Sequence, residues 1–396
     1  MRSIISSNSC PTSKAICHSK GGYQLKKALS FMLLVTLLLT STSTTHVALA
    51  AEDSLDIEKA AIQTIQNSQL LKTNGLGIAK LESTYANTKG ALKQSLGYIP
   101  YTPEPFQIVR SYLLTPKILE SNLTQYYNGH AMLTNSVRLS AYRQYADLLK
   151  ADYAVNIQSE LVNSLYEDYK KARIEKEKGM VTEAQLRLAE IAYEQTRYRY
   201  LSAQNSKDSA YLTLNHSMGE ALDRKYATLQ DYNVKPAAQI RTPEEYMSQA
   251  LANRAEVGNA QSTLELLEEQ YRYGQFDIPP DFEFYELEEG QKIAEAKNNL
   301  ELARINVQQN IVELYGYLES AMKAMEAMQY LAQQGEQNYQ AAQIRYANDE
   351  ITFIDLNNVK IAKTQADINF KNAEIDAWLT QTTMSLACDA GLYSER

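Results

Sequence analysis

Lys178-Gly179-Met180-Val181-Thr182 returns 170 residues later as Asn348-Asp349-Glu350-Ile351-Thr352, and the architecture follows from these two turns. Gly179 and Asp349 suit a left-handed C-terminal helix stop, glycine better than aspartate. Thr182 with Gln185 writes a capping box, and Thr352 with Asp355 writes its weaker analogue. Both turns are short, so the helices that flank each must run antiparallel.

Outward from the turns the same offset persists. It pairs Val137 with Val307, Tyr145 with Tyr315, Leu148 with Leu318 and Ala151 with Ala321. It goes on through Tyr169 and Tyr339, Ala172 and Ala342, Ile174 and Ile344. Beyond the turn it pairs Leu186 with Leu356 and Ala192 with Ala362. A constant offset over such a span reads as a duplicated helical hairpin. The expected division is a first repeat over residues 51–235 and a second over 236–396.

Proline sets the helix lengths, because an interior proline costs a helix about 3 kcal/mol. Beyond residue 50 the prolines are Pro100, Pro103, Pro105, Pro116, Pro236, Pro243, Pro279 and Pro280. The stretches between them predict six helices: 54–96, loosened near Gly75 and Gly77, then 117–178, 182–227, 242–274, 286–346 and 352–387. Thr242 is the expected N-cap of the fourth, with Pro243 in its first turn and Glu244 and Glu245 at its positive end. The longest would reach roughly 90 Å at 1.5 Å per residue. The predicted fold class is therefore all-α, with very long antiparallel helices in coiled-coil packing and little or no β.

Such thin helices must bury narrow apolar stripes on two sides. Alanines punctuate them, among them Ala141, Ala172, Ala189, Ala342 and Ala366, and 28 tyrosines outnumber 7 phenylalanines. Tyrosine suits half-buried faces, where the ring packs and the hydroxyl stays wet. A ring of helices around a watery lumen satisfies both features.

The start of the chain reads as a secretory signal over residues 1–50. Arg2, Lys14, Lys20, Lys26 and Lys27 precede a short apolar run, 28–39, and Ala48-Leu49-Ala50 offers a cleavage site. An N-terminal anchor is the alternative, which the short apolar core disfavours. No cysteine follows the run, which argues against a lipid anchor. All 47 acidic residues lie beyond residue 50, against 34 of the 39 basic ones, so that part carries a net charge of −13. This excess disfavours nucleic acid as a partner. Cys388 is the one cysteine beyond the leader, so no disulfide forms within that part.

The ordered duplication resembles that of the TolC-type outer-membrane efflux proteins. The similar features are Tyr145, Gly179, Val181-Thr182, Leu186, Ala189 and Leu214 with Gly219. In the second copy they are Tyr315, Asp349, Ile351-Thr352, Leu356, Ala362 and Leu386 with Gly391. Ala250 to Val257 also resembles a family segment, with Ala255 where proline is usual. The resemblance implies an α-helical barrel protomer that assembles as a homotrimer, works with an inner-membrane pump, and meets a periplasmic adaptor at its hairpin tips. Those tips would be Lys178, Gly179, Met180, Val181 and Thr182, with Asn348, Asp349, Glu350, Ile351 and Thr352. Helix reversal with capping explains the same residues equally well.

One departure stands out. The family inserts a membrane-strand hairpin into each repeat, which needs about twenty residues. The matching segments here, 97–115 and 275–285, are short and rich in proline, so the β-barrel is expected to be missing or vestigial. They also hold Tyr98, Tyr101, Phe106, Phe282, Phe284 and Tyr285. These aromatics suit a peripheral membrane contact, or local packing that seals the helix ends, the favoured alternative.

Catalytic chemistry is not expected. His130 and His216 have no second ligand at metal-binding spacing, and no phosphate loop or nucleophile elbow is present. No cofactor, metal or catalytic residue is assigned. The leading expectation is a duct component of an efflux or export system in the cell envelope, associated with the outer membrane or cell surface. The alternative is a structural or adhesive coiled-coil protein of the envelope on the same scaffold.

Overall fold

The computed structural model describes residues 54–97, 105–274 and 282–393. The leader expected over residues 1–50 lies outside the described residues, as do Tyr98, Tyr101 and the side chain of Phe106.

Eight helices follow in order: α1 Ile57–Asn67, α2 Gln69–Ser95, α3 Pro105–Glu177, α4 Glu183–Met218, α5 Pro243–Asn253, α6 Ala255–Gly274, α7 Phe282–Ala347 and α8 Phe353–Ala387. The β content among the described residues is one two-residue parallel pairing, β1 Ser54–Leu55 with β2 Thr228–Leu229. α3 has 73 residues and spans about 110 Å.

Four expectations about helix ends are corrected. The first helix breaks at Ser68, whose hydroxyl accepts from Leu71 N at 3.3 Å as an N-cap, while Gly75 and Gly77 lie inside α2. α3 begins at Pro105 and runs through Pro116. Buried Leu114 and the Lys117–Glu269 ion pair flank that proline, so packing on α6 outweighs the lost backbone bond. α4 ends at Met218, because Gly219 turns left-handed at φ 72° and Glu220 N closes back on Asn215 O at 2.9 Å. The helix expected over 242–274 is broken at Arg254, which is extended at φ −63°, ψ 130°.

α3 and α4 form one hairpin, and α7 and α8 the other. In the half that carries the two turns, α3 lies between α4 and α8, and α8 also packs along α7. The order across that layer is α4–α3–α8–α7. In the other half α2 packs on α3, α3 on α6 and α6 on α7, so the order is α2–α3–α6–α7. One edge is thus α2 followed by α4, and the other is α7 throughout.

Large buried side chains concentrate where the halves meet. One cluster joins Leu55, Ile57, Tyr145, Leu148, Leu214 and Met218. The second joins Tyr246, Ile311, Leu318, Met384 and Cys388. Positions 170 apart share this burial: Ala141 and Ile311, Leu148 and Leu318, Ala172 and Ala342, Leu214 and Met384, Met218 and Cys388. Tyr145 is fully buried, and its hydroxyl donates to Leu55 O at 2.7 Å and lies 2.9 Å from Gln230 O, which pins both short strands. Burial raises its pKa above the ordinary tyrosine range.

Candidate functional site

The two turns lie at one end of the layer and are built alike. In the first, Met180 N donates to Glu175 O at 2.9 Å and Gly179 N to Lys176 O at 3.0 Å, with Gly179 at φ 73°. In the second, Glu350 N donates to Arg345 O at 2.9 Å and Asp349 N to Tyr346 O at 3.1 Å, with Asp349 at φ 58°. Both are the paired closure that ends a helix at a left-handed residue.

Each following helix starts with a reciprocal box. Thr182 Oγ1 accepts from Gln185 N at 3.2 Å, and Gln185 Oε1 accepts from Thr182 N at 2.8 Å. Thr352 Oγ1 accepts from Asp355 N at 3.2 Å, and Asp355 accepts from Thr352 N at 3.0 Å and Thr352 Oγ1 at 2.7 Å. The two Thr352 bonds hold the Asp355 carboxyl below the usual carboxylate range. Lys171 Nζ lies 3.4 Å from Tyr346 Oη and Lys360 Nζ 2.7 Å from Ser164 Oγ, so the hairpins are tied together near their tips.

Backbone and capping demands leave the tip side chains outward. Met180 is 71% exposed, and Lys178, Thr182, Asn348, Asp349, Glu350 and Thr352 are exposed, with Val181 and Ile351 half-buried. Ile174 and Ile344, equivalent by the offset, are both open to solvent one turn before the tips. The first tip is bordered by Lys170, Lys171, Arg173 and Lys176 with Glu175, Glu177 and Glu183, a basic balance, and the second by Asp349, Glu350 and Asp355 with Arg345, an acidic one. The end therefore presents apolar knobs set in two differently charged surrounds.

At the opposite end, Gly97 and Pro105 bound seven residues, 98–104, and Gly274 and Phe282 bound seven more, 275–281. A membrane-strand hairpin needs about twenty, and both intervals lie outside the described residues. Residues 105–115 and 282–285 of the expected segments are helical. Tyr285 stacks on Tyr271 with ring centroids 6.2 Å apart, and burial raises its pKa. Gly274 makes this contact possible, since a Cβ there would lie 1.7 Å from Tyr285 Oη. Tyr285 thus packs locally, with the Phe282 ring tilted against it at 6.4 Å, while Phe282 and Phe284 keep exposed surface.

Sequence reasoning missed the buried clasp at Arg254. Its guanidinium donates to both Glu256 carboxylate oxygens at 2.6 and 3.0 Å, to Asn310 Oδ1 at 3.0 Å and to Ala387 O at 3.1 Å. It ties the α5–α6 joint to α7 and to the end of α8. Ala255 N donates to Ala390 O at 3.1 Å, a bond that a proline at this position has no proton to make. The Ala250–Val257 segment marked the place, but nothing local showed that Arg254 is buried. Arg254 also fills the space beside Gly391, where a Cβ would sit 2.7 Å from its Nε.

No group of three or more potential metal ligands occurs among the described residues. His130 Nδ1 is 2.8 Å from Asn74 Oδ1, and Cys388 is buried with its thiol pKa raised by burial. No helix among the described residues is long and apolar enough to cross a membrane.

No protein-family model matches the chain, and no curated protein matches it in sequence. Solved structures do match in shape. The channel-forming protein CusC superposes with a TM-score of 0.61 at 11% identity, over 89% of this chain and 96% of its own. The outer membrane protein VceC of Vibrio cholerae gives 0.61 at 11% identity, over 85% and 97%. The outer membrane channel CmeC of Campylobacter jejuni gives 0.57 at 15%, over 90% of both chains. The duplicated turns, the paired long hairpins and these superpositions agree: the chain has the protomer fold of TolC-type channels.

Proposed function

We propose that the protein is a duct component of an efflux or export system in the cell envelope, and that three protomers close into one α-helical tunnel. The observation that carries this reading is the pair of unpartnered edges. On α4, Ile191, Tyr198 and Leu212 lie seven and fourteen residues apart, flanked by Leu188 and Leu201, and Tyr198 is 73% exposed. On α7, Leu302, Ile305, Val312, Tyr317 and Tyr330 are likewise exposed. A layer with an apolar stripe along each edge lacks neighbours on both sides. Packing the α4 edge of one protomer on the α7 edge of the next is a head-to-tail contact, which closes a ring when the rotation fits. Three copies of a four-helix layer give twelve helices around a lumen.

In this reading residues 51–235 and 236–396 are two copies of one hairpin unit, and the tips from Lys178 to Thr182 and Asn348 to Thr352 dock an adaptor protein. Ile174, Met180 and Ile344 supply its apolar contacts. A leader over residues 1–50 brings the chain to the envelope, and an inner-membrane pump drives the cargo. The solved structures that the chain resembles are membrane channels, which favours a role without enzymatic activity.

The seven-residue intervals favour a second reading, a structural or adhesive envelope protein on the same scaffold. Native mass measurement of the purified protein tests the ring: a trimer is expected, and a stable monomer contradicts it. Deletion in the source cell separates the readings, since a duct predicts loss of export of its cargo and a structural protein leaves export unchanged.

A further inference from the structure

The half of the layer away from the tips has edges of opposite charge. α2 forms one edge and carries Lys72, Lys80, Lys89 and Lys93 against Glu82. Glu82 is exposed and taken up by the Tyr127 hydroxyl of α3. The first part of α7 forms the other edge, with Glu283, Glu286, Glu288, Glu289, Glu295 and Glu301 against Lys292, Lys297 and Arg304, the last paired with Glu301. Both of these lysines are already committed, Lys292 to Glu288 and Glu289 at 2.8 and 2.9 Å, Lys297 to Glu268 at 3.7 Å. Among the described residues, Lys80, Lys93, Glu283 and Glu295 have no ion-pair partner.

The heights of these groups match. α2 is fixed against α3 by Tyr85 with Glu120 and by Asn74 with His130. α3 is fixed against α6 by Lys117 with Glu269 and by Asn128 with Asn259. α6 is fixed against α7 by Tyr271 with Tyr285 and by the Leu264, Ala296 and Leu300 cluster. Followed across the layer, these contacts set Lys93 level with Glu283 and Glu286, and Lys80 level with Glu295 and Glu301. They set Leu76, which is 73% exposed, level with the exposed pair Leu302 and Ile305. Rotation about an axis along the helices preserves height, so residues level within one protomer meet across the seam between two.

We propose that α2 of one protomer docks on the first part of α7 of a second copy of this chain through a charge-matched seam, with Leu76 seated between Leu302 and Ile305. The seam would hold the layers together at the end away from the tips. Close approach is open on both sides, since nothing lies within 4 Å of a Cβ added at Gly90 or Gly290. The inference rests on the ring reading and specifies which surfaces make it and by what chemistry.

The test uses the purified protein, its Lys80→Glu/Lys93→Glu variant, its Glu283→Lys/Glu295→Lys variant and the fourfold combination. Each double reversal sets like charges across the seam and is expected to weaken assembly tenfold or more at low salt. The fourfold variant restores opposite charges and is expected to recover it. Wild-type assembly should weaken as salt rises. A Lys93→Cys/Glu283→Cys protein should cross-link between protomers into a closed trimer, because in one protomer the two positions lie on opposite edges. A trimer that ignores salt and both reversals and gives no cross-link overturns the seam and leaves the ring standing. A wild-type protein that never assembles removes the ring and the seam together.

Discussion

The belt around Tyr145 and Arg254 and the shafts beyond it are made from the same helices and held by different means. In the belt, α3 meets α1, α4, both short strands and α8, and Leu148, Leu214, Leu318 and Met384 are fully buried. Along the shafts each helix has one or two neighbours, and Leu188, Ile191, Leu331 and Ile344 lie open. The comparison teaches that the belt stores most of the protomer's own stability, and that the shafts keep apolar side chains uncovered within one protomer. A protomer in isolation should therefore unfold from the tips inward.

Four substitution experiments sharpen or break that contrast. The largest loss is expected at the belt clasp. Arg254→Ala leaves Glu256 without its partner and a buried Ala387 carbonyl without a donor, and should cost about 3–5 kcal/mol in urea unfolding. Next is a matched pair. Leu148→Ala in the belt should cost about 2–5 kcal/mol, whereas Leu188→Ala on the shaft should cost under about 0.5 kcal/mol in the protomer. Equal losses would contradict the division of stability drawn above. The tips offer a third comparison. Gly179→Ala forces a side chain into the left-handed region and should cost about 1 kcal/mol, while Asp349→Gly should stabilise by a similar amount. The caps come last, with Thr182→Ala and Thr352→Ala each costing about 1 kcal/mol, read as fraying of α4 or α8 by amide exchange.

A pH dependence is expected at the second tip. The folded pKa of Asp355 lies below its unfolded value, so its stabilising share is present above the unfolded pKa and is lost as pH falls through the folded one. Amide exchange at the start of α8 should quicken on acidification below about pH 4, the ordinary aspartate value. The start of α4, where uncharged Gln185 closes the box, should not respond.

Much of this fold was legible in the sequence because its determinants are local. Gly179, Thr182 and Thr352 write turn and cap chemistry within five residues, and the 170-residue offset repeats it. The misplaced ends share a different cause. Pro116 is tolerated where Leu114 is buried and Lys117 is engaged by Glu269 of α6, and Arg254 breaks its helix because α7 and α8 hold its side chain. Neither contact is visible along the chain. The break at Ser68 was written locally, but the glycines at 75 and 77 drew attention from it. The tip residues were found from turn chemistry, whereas the edge rows on α2 and α7 depend on which neighbours each helix already has. The short β1–β2 pairing escaped because two residues carry no period.

The central claim, that open-edged layers close on copies of themselves, is tested most directly by electron microscopy of the purified protein. The account predicts a hollow ring in end view with threefold symmetry, and in side view a tube about 110 Å long, the span of α3. Single rods, or filled particles without a lumen, would contradict it.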